Sequence, residues 1–208
     1  ALLHLEKRPA TVSVDSILHG LQNEFEQSAL VVQGATESPD GKRILVWSAD
    51  GSLSIWSSGK GTLISRIDAG KGLKGALFVS ANRIAVWGRG AALIDLEGRK
   101  ARVDLLPAKI EVHDVRWLNG RGAILTSDGR SSATLWRTDS GVKLLEIQLE
   151  STGYNIDVSP DATRLFVDGA HAGRPGSLYD LASGNRVTLT EDAFGRLKTF
   201  ARLGAPLT

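Results

Sequence analysis

The chain contains no cysteine. That excludes disulfides, thiolate zinc sites and cysteine nucleophiles, and it leads us to expect a cytoplasmic location. Methionine is absent as well. No apolar run approaches the ~20 residues that span a bilayer, so no membrane partner is expected. The opening residues, ALLHLEKRPA, place charge after a very short apolar patch. A secretory signal has the reverse order and a longer apolar core. An excess of one charge is also missing: 25 basic residues face 23 acidic ones, interspersed, for a net charge of +2. That balance carries no nucleic-acid footprint. Histidine is scarce, with His4, His19, His113 and His171 alone. None pairs with another His or a carboxylate at metal-ligand helix spacing, so we expect neither a metal site nor a bound cofactor.

What is present is a repeat. Residues 38–61, SPDGKRILVWSADGSLSIWSSGKG, read as strand, Asp-Gly turn, strand. Ile44–Trp47 is a short apolar run. Asp50-Gly51 tolerates the positive φ of a two-residue hairpin turn, and Leu53–Trp56 is the return strand. Arg43, Arg83, Arg121 and Arg164 each open or closely precede such an apolar run. Trp56, Ile94, Trp136 and Tyr179 end the later strand of each unit, at intervals of 38, 42 and 43 residues. A Gly follows five residues on at Gly61, Gly141 and Gly184, and four on at Gly98. Four unrelated hairpins would not share position, turn chemistry and spacing together. A period of roughly 40–45 residues with four strands per period marks a propeller.

Ser-Pro-Asp-Gly, an apolar strand, Asp-Gly and a strand ending in Trp resemble the WD40 repeat. Ser57 stands where the usual Trp-Asp pair has its Asp, and the family's Gly-His pair occurs nowhere. In that family a turn Asp, a strand Ser or Thr and the Trp share a hydrogen-bonded set. Ser48, Asp50 and Trp56 would supply it in the first unit, and Thr126, Asp128 and Trp136 in the third. Turn formation explains the two Asp residues better. The degeneracy also leaves room for YVTN-like and TolB-like propeller repeats.

We therefore expect an all-β chain, a β-propeller of four-stranded antiparallel blades. The units begin near Ala29, Leu73, Ile110 and Tyr154. Phe194–Leu203 reads as the inner strand of a fifth, so about four blades plus part of a fifth form an incomplete ring. Residues 29–208 form the propeller, and 1–28 a helical segment or linker. Val14, Ile17, Leu18, Leu21 and Phe25 fall on one helical face after a Ser13 cap. A similar helix precedes the first blade in bacterial proteins that join a STAND-type ATPase to WD40 repeats. Middle strands buried on both faces explain runs such as Ile-Leu-Val-Trp.

Catalytic motifs are absent. Gly59-Lys60-Gly61-Thr62 lacks the earlier Gly of a phosphate loop, since Ser54 stands there, and leads into a strand. Gly88-Arg89-Gly90 begins a dinucleotide fingerprint but lacks the third Gly. No Gly-x-Ser-x-Gly elbow occurs. The resemblance implies a non-catalytic scaffold or sensor whose rim binds a protein or peptide partner, alongside further repeats or an effector domain of the same chain, so we expect no enzyme. The alternative is a hydrolase, lyase or oxidoreductase propeller, or one that binds a small ligand, with its site at the central channel. Glu37, His113, Arg116 and Asp157 are the inner-strand candidates for such a site. At least three of them in one concave pocket would favour that alternative.

Overall fold

The computed structural model describes residues 31–97, 102–149, 156–167 and 176–187. The helix expected at Val14–Phe25, the strand at Phe194–Leu203 and His4, His19 and His171 lie outside these residues.

Each unit builds one antiparallel sheet whose strands pair in chain order. Sheet 1 holds β1 (Val32–Glu37), β2 (Arg43–Ser48), β3 (Ser52–Ser57) and β4 (Leu63–Asp68). Sheet 2 holds β5 (Leu73–Ser80), β6 (Arg83–Asp95) and β7 (Arg102–Glu111). Sheet 3 holds β8 (Asp114–Leu118), β9 (Ala123–Ser127), β10 (Ser132–Arg137) and β11 (Lys143–Gln148). A single 3-10 turn, Asn119–Arg121, joins β8 to β9. Sheet 4 holds β12 (Ile156–Val158), β13 (Arg164–Val167), β14 (Ser177–Asp180) and β15 (Arg186–Val187).

β6 is a folded element. A straight strand of its length would hold its two ends about 40 Å apart. Instead the Leu96 N–H donates to Asn82 O at 2.9 Å, and Arg83 Nη2 reaches Asp95 Oδ2 at 3.2 Å. The chain therefore turns back at Gly88-Arg89-Gly90, where both glycines have positive φ. Sheet 2 is thus four-stranded like the others, as its sequence predicts.

The turns repeat atom for atom. In sheet 1 the Ser38 hydroxyl donates to Asp40 Oδ1 at 2.6 Å and accepts the Arg43 N–H at 2.9 Å. In sheet 4 Ser159, Asp161 and Arg164 reproduce both bonds at 2.6 and 2.9 Å. The recurrent Gly61, Gly141 and Gly184 each adopt φ between 62° and 76°. Each donates its N–H to the carbonyl four residues back, closing the turn between the last two strands of its sheet.

Three apolar clusters stack the sheets in order. Leu45, Leu53, Ile55, Phe78, Ile84 and Ile94 fill the space between sheets 1 and 2. Val79, Leu93, Val115, Ile124 and Trp136 join sheets 2 and 3. Leu125, Leu135, Ile147, Leu165, Val167 and Tyr179 join sheets 3 and 4. The first strands of successive sheets lie close together, β1 against β5 and β8 against β12. This is a fan of blades with β1, β5, β8 and β12 innermost, and each blade depends on its neighbours for a core.

Candidate functional site

The inner strands carry charge where they leave the core. On β8, Val115 and Trp117 pack towards sheet 2 and Leu118 packs towards sheet 4. Alternation along a strand then turns Asp114 and Arg116 towards sheet 4. There Arg116 pairs with the Asp114 carboxylate through Nη1 and donates from Nη2 to Ile156 O on β12 at 2.9 Å. Burial pushes the Asp114 carboxyl up, and the nearby negative charge of Asp157 adds to this. Arg116 and the Val115 and Ile156 N–H groups oppose the shift without cancelling it. Asp157 is exposed and accepts the N–H of Val158 at 2.8 Å.

A second charged group lies one blade back. Lys74 Nζ on β5 meets Glu111 Oε1 at 2.7 Å. Its hydrogen bond and charge hold the Glu111 carboxyl below the usual range, helped by His113 and Arg130. Arg89, at the β6 turn, is the ladder partner of Glu111. His113 packs its ring against Gly129, where a Cβ would lie 3.0 Å from the imidazole. Lys74 on β5, Asp114 and Arg116 on β8 and Asp157 on β12, with Glu111 at the end of β7 and Arg89 in the β6 turn, give a charged band at the end where the β6 turn and the Asp128-Gly129 turn emerge.

Of the four inner-strand candidates, Arg116 on β8 reaches the Ile156 carbonyl, next to Asp157 on β12, and His113 lies in the link between β7 and β8 at the same end. Glu37 is not part of it. It ends β1 beside the turn at Gly41, at the opposite end of the sheet. Asp114, Lys74 and Glu111 were missed by sequence reasoning. Asp114 had a signal, since Asp-x-Arg on an inner strand sets two opposite charges on one face. Among the described residues no group of three or more His, Cys, Asp or Glu side chains is placed to hold a metal ion.

The expected Trp networks take a different form. The Trp56 indole donates to Ser54 Oγ at 2.9 Å rather than to Ser48. In sheet 3 Trp136 does donate to Thr126 Oγ1, at 2.9 Å. Asp50 and Asp128 spend their carboxylates on the backbone of their own turns, at Ser52 and at residues 130–132. Arg121 sits in the 3-10 turn, and Ala123 takes the ladder position that Arg43 and Arg164 hold opposite Ser57 and Asp180.

The packed fan of four-stranded antiparallel sheets defines an all-β propeller, and the comparisons agree. The dihydro-heme d1 dehydrogenase NirN in complex with DHE is similar with a TM-score of 0.64 at 16% identity, over 76% of this chain and 36% of that one. Kuenenia stuttgartiensis hydrazine synthase is similar with a TM-score of 0.61 at 14% identity, over 76% of this chain and 48% of that one. The chain spans less than half the length of either protein, and at these identities the likeness shows the fold alone. No family model matches the chain, and no curated protein matches it. The expectation that the chain is no enzyme is corrected here, because both of these similar structures are enzymes. A propeller of this shape is compatible with catalysis, and the missing catalytic motifs do not argue against it.

Proposed function

We propose that the chain is part of a ligand-binding propeller of the enzyme type, with its site on the charged band of the inner strands. One observation carries this reading. Asp114, a partly buried carboxyl held above its ordinary range, stands near a second carboxylate, Asp157, from the adjacent inner strand. Carboxyl groups in unlike settings are the usual way one site offers both an acid and a base. Arg116 fixes Asp114 in place and leaves the trio with one net negative charge. That favours a small polar ligand bearing a positive charge or several hydrogen-bond donors. The Trp136–Thr126 bond and the Ser-Pro-Asp turns support the finer reading of the repeats as WD40-like.

The test is a carboxyl carbon NMR titration of the whole chain, followed by a screen of small organic amines. Asp114 should titrate above the ordinary 3.8. Amine binding should move the Asp114 and Asp157 signals first, and Asp114→Asn should abolish it. An Asp114 midpoint at or below 3.8, or shifts confined to other residues, would overturn the reading.

A further inference from the structure

The packing between sheets 2 and 3 is incomplete on its outer half. A groove of about 200 Å³ opens there, separate from the charged band and away from the inner strands. Leu106 and Ile110 of β7 form one wall, and the Trp136 indole forms the other. Thr126 and Thr134 line the floor, with Asp128 at one end and the Lys143–Glu146 ion pair at the rim. The corresponding position between sheets 3 and 4 is closed, because Tyr179 is fully buried in a cluster with Ile147, Leu145 packing against it. The groove also departs from the repeat in chemistry. Thr126 pairs with Thr134 across the ladder, where sheets 1 and 4 place Val46 against Ser54 and Val167 against Ser177. In sheet 1, with Val46 there, the Trp56 N–H turns to Ser54 instead, whereas Trp136 uses Thr126 on the facing strand.

We propose that this groove binds a small flat ring carrying a hydrogen-bond donor, of the size of a phenol or an indole. The volume exceeds that of a cavity that holds benzene, about 150 Å³. An indole wall facing aliphatic walls suits an aromatic ring, which gains from offset stacking. Asp128, whose oxygens already accept from its own turn, and Glu146 still place two negative charges here against the one positive charge of Lys143. The groove therefore rejects an anionic ring and rewards a donor.

Phenol and indole are the probes, with benzoate as the anionic control, added to the full chain in saturation-transfer NMR. Phenol and indole should receive saturation, and intermolecular NOEs should reach the Trp136 ring and the Leu106 and Ile110 methyls. Benzoate should bind at least tenfold more weakly. Leu106→Trp fills the groove from a half-buried position and should weaken phenol at least tenfold without lowering the melting temperature. If that variant fails to fold, the NOE pattern in the native chain decides alone. No saturation of phenol, NOEs to other residues, or undiminished binding by folded Leu106→Trp would overturn the proposal.

Discussion

Gly51 has a φ of 95°, and a Cβ there would stand 2.1 Å from the Gly70 carbonyl oxygen. Backbone atoms cannot yield as a flexible side chain can. Gly51→Ala should therefore cost about 3 kcal/mol or more, read as a shift in the urea midpoint. The paired turns offer a gentler comparison. Gly41 has a φ of 67° and Ala162, in the same place in sheet 4, has a φ of 56°. Gly41→Ala should cost about 1 kcal/mol, the usual penalty of a side chain in the left-handed region. Ala162→Gly should change stability by less, because the relief is offset by a freer unfolded chain. Tryptophans differ in the same residue-by-residue way. The Trp136 N–H is paired with Thr126, whereas the buried N–H groups of Trp47 and Trp117 find no partner. Trp136→Phe should therefore cost about 1 kcal/mol more than Trp47→Phe beyond the effect of ring size. Equal losses in chemical denaturation would count against that.

At the scale of elements, arginines link each blade to the next. Arg43 Nη1 donates from β2 to Ala81 O of sheet 2 at 3.2 Å. From the equivalent place on β6, Arg83 Nη1 donates to Thr138 O at 2.7 Å and also to Asp139 O, while holding Asp95 within its own sheet. Ala123 cannot do this in sheet 3, and Arg116 makes the link to sheet 4 from the inner strand instead. Arg83→Gln should cost about 1–3 kcal/mol, since it removes the charge pairing with Asp95 and both side-chain bonds to the next blade. Arg121→Gln should cost less than about 0.5 kcal/mol, as an exposed residue away from such features. Parallel thermal melts would separate the two. These arginines show where the sequence was legible. Their recurrence before each apolar run was visible, and so were the hairpins, because turn chemistry and apolar runs are local. Their acceptors were not, since a carbonyl in the next blade has no sequence signal. The same limit hid the fit of Trp47 over Gly34 and Trp87 over Gly75, where a Cβ would sit 2.3 Å from each ring. That fit depends on the register shifts in β1 and β5. The candidate site was half legible for the same reason. Arg116 and Asp157 stood out as inner-strand charges, but their meeting at Asp114 is a property of two blades.

Across the whole molecule, the turn carboxylates set the response to acid. Hydrogen bonds from Ser159 and Thr163 hold the exposed Asp161 at about 2, down from 3.8. Arg137 and Ser140 hold Asp139 at about 2 as well. Ser38 and Lys42 lower Asp40, and the Ser183 and Ala182 N–H groups lower Asp180. A carboxyl depressed in the folded state binds its proton more readily when unfolded. It contributes stability that is present above the unfolded value of 3.8 and lost as pH falls through the folded value, about 2 for Asp161 and Asp139. Asp114 has the opposite sign. Its carboxyl is raised by burial, so its charge penalises folding at neutral pH, and that penalty disappears as protonation proceeds below its folded pKa. The urea midpoint should hold steady down to about pH 5 and fall steadily towards about pH 2, where the depressed carboxyls outnumber Asp114. Asp161→Asn should flatten that fall by removing one contributor. Asp114→Asn should steepen it, because a group that gains on acidification is gone. A native profile without a fall between those limits, or an Asp114→Asn profile flatter than the native one, would show that the turns do not govern acid stability.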